Sequence, residues 1–218
     1  MPGSARKKIV LLTGFEPFGG AARNPSGEIA LFWHAREVAD ARVVGAVLPC
    51  VFGAARRDLE RLILRHRPSA VLCLGVAAGR EAITPERVAL NVDDARIPDN
   101  AGRQPVDRPV VRGGPVAYWS SLPIKAMVAE LRSQGIPAAV SQTAGTFLCN
   151  HVFYGLMHAV RRHRGVRAGF VHVPSMSEAA RRGEPALPLE VLTEATGSMI
   201  ATILRSRRDL RIAGGATD

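Results

Sequence analysis

KKIVLLTGFEPFGG, residues 7–20, passes from two lysines through an apolar run into a loop of glycine and phenylalanine. Basic residues before an apolar run also open a secretory leader, but this run covers only Ile9 to Leu12 before Thr13 and Gly14 stop it. So short a run, closed by a turn signal, reads as a buried first β-strand. Working outward, similar runs recur at residues 43–48, 70–76, 138–141 and 169–173, and stretches with helical spacing lie between them. Residues 26–38 follow Asn24-Pro25, a helix-start signal, and residues 53–66 place Leu59, Leu62 and Ile63 on one face with charges opposite. Residues 124–134, 147–163 and 189–205 complete the set. Such alternation predicts parallel strands joined by right-handed crossovers, with helices on both faces. The expectation is an α/β fold: a single domain over residues 1–218, a three-layer α/β/α sandwich around a mostly parallel twisted sheet. Residues 86–119, rich in Pro, Gly and Asp, break the rhythm and read as loops with a hairpin, and residues 209–218 read as a frayed tail.

A chain of 218 residues that is 47% apolar can bury a full core. Its three cysteines, Cys50, Cys73 and Cys149, are odd in number and form no CxxC, which predicts free thiols and a reducing, cytoplasmic setting. No apolar stretch approaches the roughly 20 residues of a membrane span, so no membrane association is expected. The net charge of +10 raises the question of nucleic acid. Lysine, however, occurs only at positions 7, 8 and 125, and the arginine clusters at 65–67, 161–164 and 205–208 fall where helices should end. Cations there complement the helix dipole by about 0.3–1 kcal/mol each. Few aromatics interleave with them, so no stacking platform for bases is evident and no nucleic-acid partner is expected.

Ligands of open α/β sheets bind at the carboxyl ends of the strands. The first strand leads there into Gly14 to Gly20, whose glycines fit neither GxGxxG nor a P-loop. Phe15 and Phe18 in that loop either fold back into the core or line a pocket. In TAGTFLCNHVFYGLMH, residues 143–158, Cys149 falls in the first turn of an amphipathic helix, where free N–H groups and the dipole favour a thiolate. Lowering a thiol pKa from ~8.5 to ~5–6 would raise the nucleophilic fraction tens-fold. Cys73, inside an apolar run, reads as inert core, whereas Cys50 in LPCVFG also sits between a strand and a helix and is a rival. Among six histidines, His151 points about 200° round the helix from Cys149, His158 lies opposite, and His66 and His163 sit in basic helix ends. His172, in GFVHVPS near the carboxyl end of the last strand, is the candidate base, though a lone strand histidine is more often a satisfied core group. An orienting carboxylate would come from Glu86, Asp93, Asp94 or Asp99, all in the irregular segment.

TGFEPFGG with NPS following, then ERVALNVDDARIPDN, TAGTFLCNHVFYGLMH and FVHVPS in that order closely resemble the type I pyroglutamyl peptidases, or pyrrolidone-carboxylate peptidases. The likeness runs from about Ile9 to about Leu204. It implies a cysteine exopeptidase that removes an N-terminal pyroglutamyl residue from peptides, with Cys149 as nucleophile, His172 as base and Glu86 as third catalytic residue. It also implies Phe15 and Phe18 flanking the lactam ring, Arg96 near the scissile carbonyl, and substrate contacts from Ile97 and Leu148. Gln142 and Val76 depart from residues common in the family, Asn and Gln. No metal or other cofactor is implied, and no HExxH or CxxC spacing occurs. Family members are often homotetramers, so a homo-oligomer is expected. Two other classes compete: a small-molecule transferase or phosphorylase on a similar sheet, which lacks its phosphate loop, and a basic nucleic-acid-binding module.

Overall fold

In a computed structural model the protein is described over residues 7–163, 165–206 and 208–215. Arg164 and Arg207, counted among the basic helix ends, and residues 216–218 of the tail lie outside these. Strands and helices alternate as β1 (Lys8–Phe15), α1 (Pro25–Trp33), β2 (Glu37–Val38), β3 (Ala41–Leu48), α2 (Ala54–His66), β4 (Ala70–Val76), β5 (Thr84–Leu90), β6 (Ala117–Trp119), α3 (Ile124–Ser133), β7 (Ser141–Thr143), α4 (Leu148–Val160), β8 (Arg167–Val173), β9 (Ser175–Met176), β10 (Ala186–Leu187) and α5 (Leu189–Arg205). The main sheet has the order β2-β3-β1-β4-β8-β5-β6, with β7 beside β5. Its central strands β3, β1, β4 and β8 are parallel.

Successive side chains of a strand face opposite sides, so each central strand feeds two cores. Val10, Leu12, Leu72 and Leu74 meet Ile29, Met127 and Ile200 from α1, α3 and α5. Leu11, Val71, Cys73 and Phe170 meet Leu59 and Phe153 from α2 and α4 on the other face. Fully burying one such side chain stabilises the fold by about 1.5–3 kcal/mol, which explains why these strands are almost unbroken apolar runs. The three-layer α/β/α arrangement is as expected.

Four local readings change. α1 starts where Asn24-Pro25 indicated, with the Asn24 side chain accepting from the Ser26 N–H, but it ends at Trp33 instead of Val38. Ala35 takes a positive φ of 63°, its N–H donates to Val43 O, and Glu37 and Val38 become an antiparallel edge strand on β3. Of residues 138–141, Ala138 makes a single bridge with Ile83, and the strand begins only at Ser141, as β7. Glu86 lies not in irregular chain but within β5, which is antiparallel to β8 and β6. TPERVAL hides this strand behind a proline and two charges. The tail is also held: both Asp209 carboxylate oxygens accept from the Lys125 N–H and one also from that of Ala126, while Arg87 and Lys125 bond the carbonyls of Gly214 and Ile212. No helix among the described residues is long and apolar enough to cross a membrane.

Candidate active site

Because β1, β3, β4 and β8 are parallel, their carboxyl ends gather at one edge, and the loops after them form the walls of a cavity of about 1200 Å³. β5 runs the other way, so its beginning lies beside the end of β8, with Thr84 opposite His172. This inversion carries Glu86 to the imidazole. Glu86 is fully buried, and its Oε1 accepts from His172 Nδ1 and from Arg80 Nη1, both at 2.7 Å. The Nδ1 proton is therefore committed to the carboxylate, which leaves Nε2 as the basic nitrogen of His172.

Cys149 is the second residue of α4 and half-buried, while Cys50 and Cys73 are buried. Gly75 stands opposite His172 in the β4–β8 ladder. A Cβ added at Gly75 would lie 2.9 Å from Cys149 Sγ and 2.7 Å from the Phe170 ring, so only glycine leaves room for the sulfur beside this strand position. The first turn of α4 has no side-chain cap, and its leading N–H groups, that of Cys149 included, are free to meet a developing negative charge.

The electrostatics differ from the reading of a standing thiolate. Burial pushes the Cys149 thiol up to about 12, Cys50 and Glu86 add to the rise, and Arg80 opposes it. Cys50 and Cys73 are likewise raised to about 12, chiefly by burial. His172 is held below its ordinary value, first by burial, with Glu86 pulling upward and Arg80 downward. Burial thus favours the uncharged form of each group, thiol and imidazole alike.

The other candidates sort by contact. Asp93 Oδ2 bonds His151 Nδ1 at 2.8 Å, and the Gly53 N–H donates to His151 Nε2 at 3.0 Å, so both ring nitrogens of this second buried pair are engaged. Asp99 accepts from the N–H groups of Phe52, Ala101 and Arg103 and shapes its loop, and Asp94 is exposed. His158 meets the Tyr118 hydroxyl. Phe15, Phe18, Arg96, Leu148 and Cys149 line the cavity, as do Cys50 and Val76. Phe15 is also core, 4% exposed, with its ring 6.4 Å from that of Phe170. Phe18 pairs instead with Phe147 at 5.3 Å, and this pair forms the aromatic wall. Ile97 is half-buried and not among the described lining residues, and Gln142 is exposed beside Gly215.

Sequence reasoning missed Arg80, Gly75, Asn150, Phe147 and Glu16. Glu16 Oε1 accepts from the Cys50 N–H and from Asn100 Nδ2, joining the first loop to the cavity's far side. Asn150, next to Cys149, accepts from the Leu90 N–H and donates to Leu90 O and Val92 O, which ties α4 to the strand carrying Glu86. A polar residue at a helix position facing the core was the one available signal for Asn150. No group of three or more His, Cys, Asp or Glu among the described residues could hold a metal ion.

Fold and site together have the arrangement of a cysteine hydrolase: a thiol at a helix start, and an imidazole fixed by a buried carboxylate. Comparison with known proteins narrows this. The pyroglutamyl peptidase family matches residues 8–206, and the chain belongs to that family. It is 52% identical to the pyrrolidone-carboxylate peptidase of Cupriavidus taiwanensis over 210 residues, covering 94% of this chain and 97% of that one. It is also 52% identical to the one from Klebsiella pneumoniae, over 95% and 98% of the two chains. Pyroglutamyl peptidase I of Bacillus amyloliquefaciens superposes with a TM-score of 0.92 at 45% identity, over 95% of this chain and 100% of that one. The pyrrolidone carboxyl peptidase of Thermococcus litoralis gives 0.90 at 37%, over 95% and 99%.

Proposed function

We propose that this protein hydrolytically removes an N-terminal pyroglutamyl residue from peptides, with Cys149 as nucleophile, His172 as acid and base, and Glu86 orienting the imidazole. The observation that carries this is the 2.7 Å bond between His172 Nδ1 and fully buried Glu86, next to Gly75, the strand position beside which the Cys149 sulfur lies at the cavity wall. Cys149 Sγ attacks the pyroglutamyl carbonyl carbon while its proton passes to His172 Nε2, and the imidazolium so formed faces the Glu86 carboxylate. Negative charge collecting on the carbonyl oxygen meets the Cys149 N–H at the uncapped start of α4, with Arg96 as a second donor. Collapse breaks the C–N bond as His172 returns the proton to the leaving amine, leaving a thioester on Cys149. Water, deprotonated by His172, then attacks the thioester, releasing pyroglutamate and regenerating the thiol.

A pyroglutamyl terminus is a neutral lactam with no ammonium for a carboxylate to grip. The Phe18–Phe147 pair with Phe15 and Leu148 offers apolar walls suited to such a ring. The test is turnover of a pyroglutamyl chromogenic amide against its glutamyl analogue. Cleavage of the first alone is expected, and Cys149→Ser should abolish it, whereas Cys50→Ser and Cys73→Ser retain most of it. Iodoacetamide should label half-buried Cys149 first. Activity that survives Cys149→Ser would overturn the assignment.

A further inference from the structure

SMSEAARRGEPAL, residues 175–187, joins β9 to β10 and forms one wall of the cavity. It carries two glutamates and two arginines, and the structure uses them differently. Glu184 accepts from the Ser175 hydroxyl and from the Arg181 backbone N–H, and Glu178 accepts from the Leu189 N–H through both oxygens. These carboxylates thus close the loop on neutral donors, alongside the backbone bonds from Ala179 N to Met176 O and from Glu184 N to Arg181 O. Glu184 bonds the Arg181 main chain, and of the influences that lower this carboxylate's pKa, the Ser175 hydroxyl foremost, the Arg181 guanidinium is only the weakest. Arg181 and Arg182 are exposed on the cavity wall, and among the described residues neither guanidinium takes part in an ion pair. Across the cavity, Arg96 adds a third cation, while Arg23 is already matched by Glu28. A neutral lactam ring has no use for this charge, so the rest of the substrate must meet it.

We propose that Arg181 and Arg182 make the site selective for pyroglutamyl peptides that carry a carboxylate just after the ring, either an acidic side chain or the free C-terminus of a dipeptide. This rests on the function proposed above. Guanidinium groups bind carboxylates as planar forks, and a loop already closed by its own glutamates leaves only the two arginine side chains to be ordered at binding. Both positions lie on an exposed wall, so the gain is that of solvent-screened ion contacts and falls with salt.

The experiment compares kcat/KM for pyroglutamyl-Ala-amide, pyroglutamyl-Glu-amide, pyroglutamyl-Lys-amide and pyroglutamyl-Ala with a free carboxylate, at low and high salt. At low salt, at least one of the two carboxylate peptides is expected to exceed the neutral amide roughly 3- to 10-fold, with the lysine peptide below it. Which of the two gains identifies the source of the carboxylate. The Arg181→Gln/Arg182→Gln double variant should lose the preference and keep wild-type kinetics on the neutral amide, and Arg181→Glu/Arg182→Glu should turn the preference toward lysine. Equal rates across the charge series in the wild type, or a preference that persists in the double Gln variant, would overturn the proposal. If no pyroglutamyl peptide is cleaved at all, the proposed function itself falls, and this selectivity with it.

Discussion

Glu86 places one oxygen, Oε1, against both Arg80 and His172, with no water-exposed surface of its own. A buried carboxylate needs partners, and Arg80 and His172 supply them at this one oxygen. The consequence is measurable in the pH profile. In the proposed mechanism the neutral imidazole is the base, so kcat/KM should rise with pH through the pKa of His172, which burial holds below its ordinary value. The Glu86 carboxylate is the main influence pulling that pKa upward. Glu86→Gln removes the pull, so the acid limb should move to lower pH while the plateau falls by about 100- to 10,000-fold. A variant with an unmoved limb and near-normal kcat would transfer the orienting role away from Glu86.

At the scale of elements, the reaction depends on the fit of α4 to β5. Asn150 is fully buried and makes three bonds to the main chain at the end of β5. Asn150→Ala strands the Leu90 N–H and two carbonyls in the interior and should cost about 2–4 kcal/mol by urea unfolding, with kcat falling in the folded fraction. Unchanged stability would mean that water replaces the amide. The loop after β1 divides in a similar way. Phe15, packed on Phe170, should cost about 3–5 kcal/mol of stability on replacement by Ala. Phe18→Ala should leave the fold intact and cost about 1–3 kcal/mol in kcat/KM. Equal melting losses for both would place Phe18 in the core as well.

For the whole molecule, the closing contact is the return of the tail to α3. Asp209 caps the start of that helix, although Asp209 follows α5. Asp209→Ala should cost about 0.5–2 kcal/mol and lower the Tm by about 2–4 °C per kcal/mol, with kcat unchanged because the cavity lies at other loops. An unchanged Tm would show the tail contact to be energetically silent. The strands β1, β3, β4 and β8 were legible because each is buried on both faces and therefore writes a continuous apolar run. α2, α3 and α5 were legible because each buries a single stripe. Cys149 at a helix start and His172 at a strand end could be read from position. β5 could not: its proline and charges match no strand pattern, and what makes it a strand is pairing with β8, β6 and β7, residues far away in the chain. The same pairing decided which of four carboxylates reaches His172. At Cys149 the helix start favours a thiolate and burial opposes it, since helix position is local but desolvation depends on everything packed around the sulfur. Sequence alone determined the layers and the parallel core, because burial and turns leave local patterns; position offered Cys149 and His172 as candidates, and the likeness to the family named Glu86 with them. Only the tertiary structure decided the inverted strand and the Arg80–Glu86–His172 row, because strand pairing and charge act through space between residues that no local pattern connects.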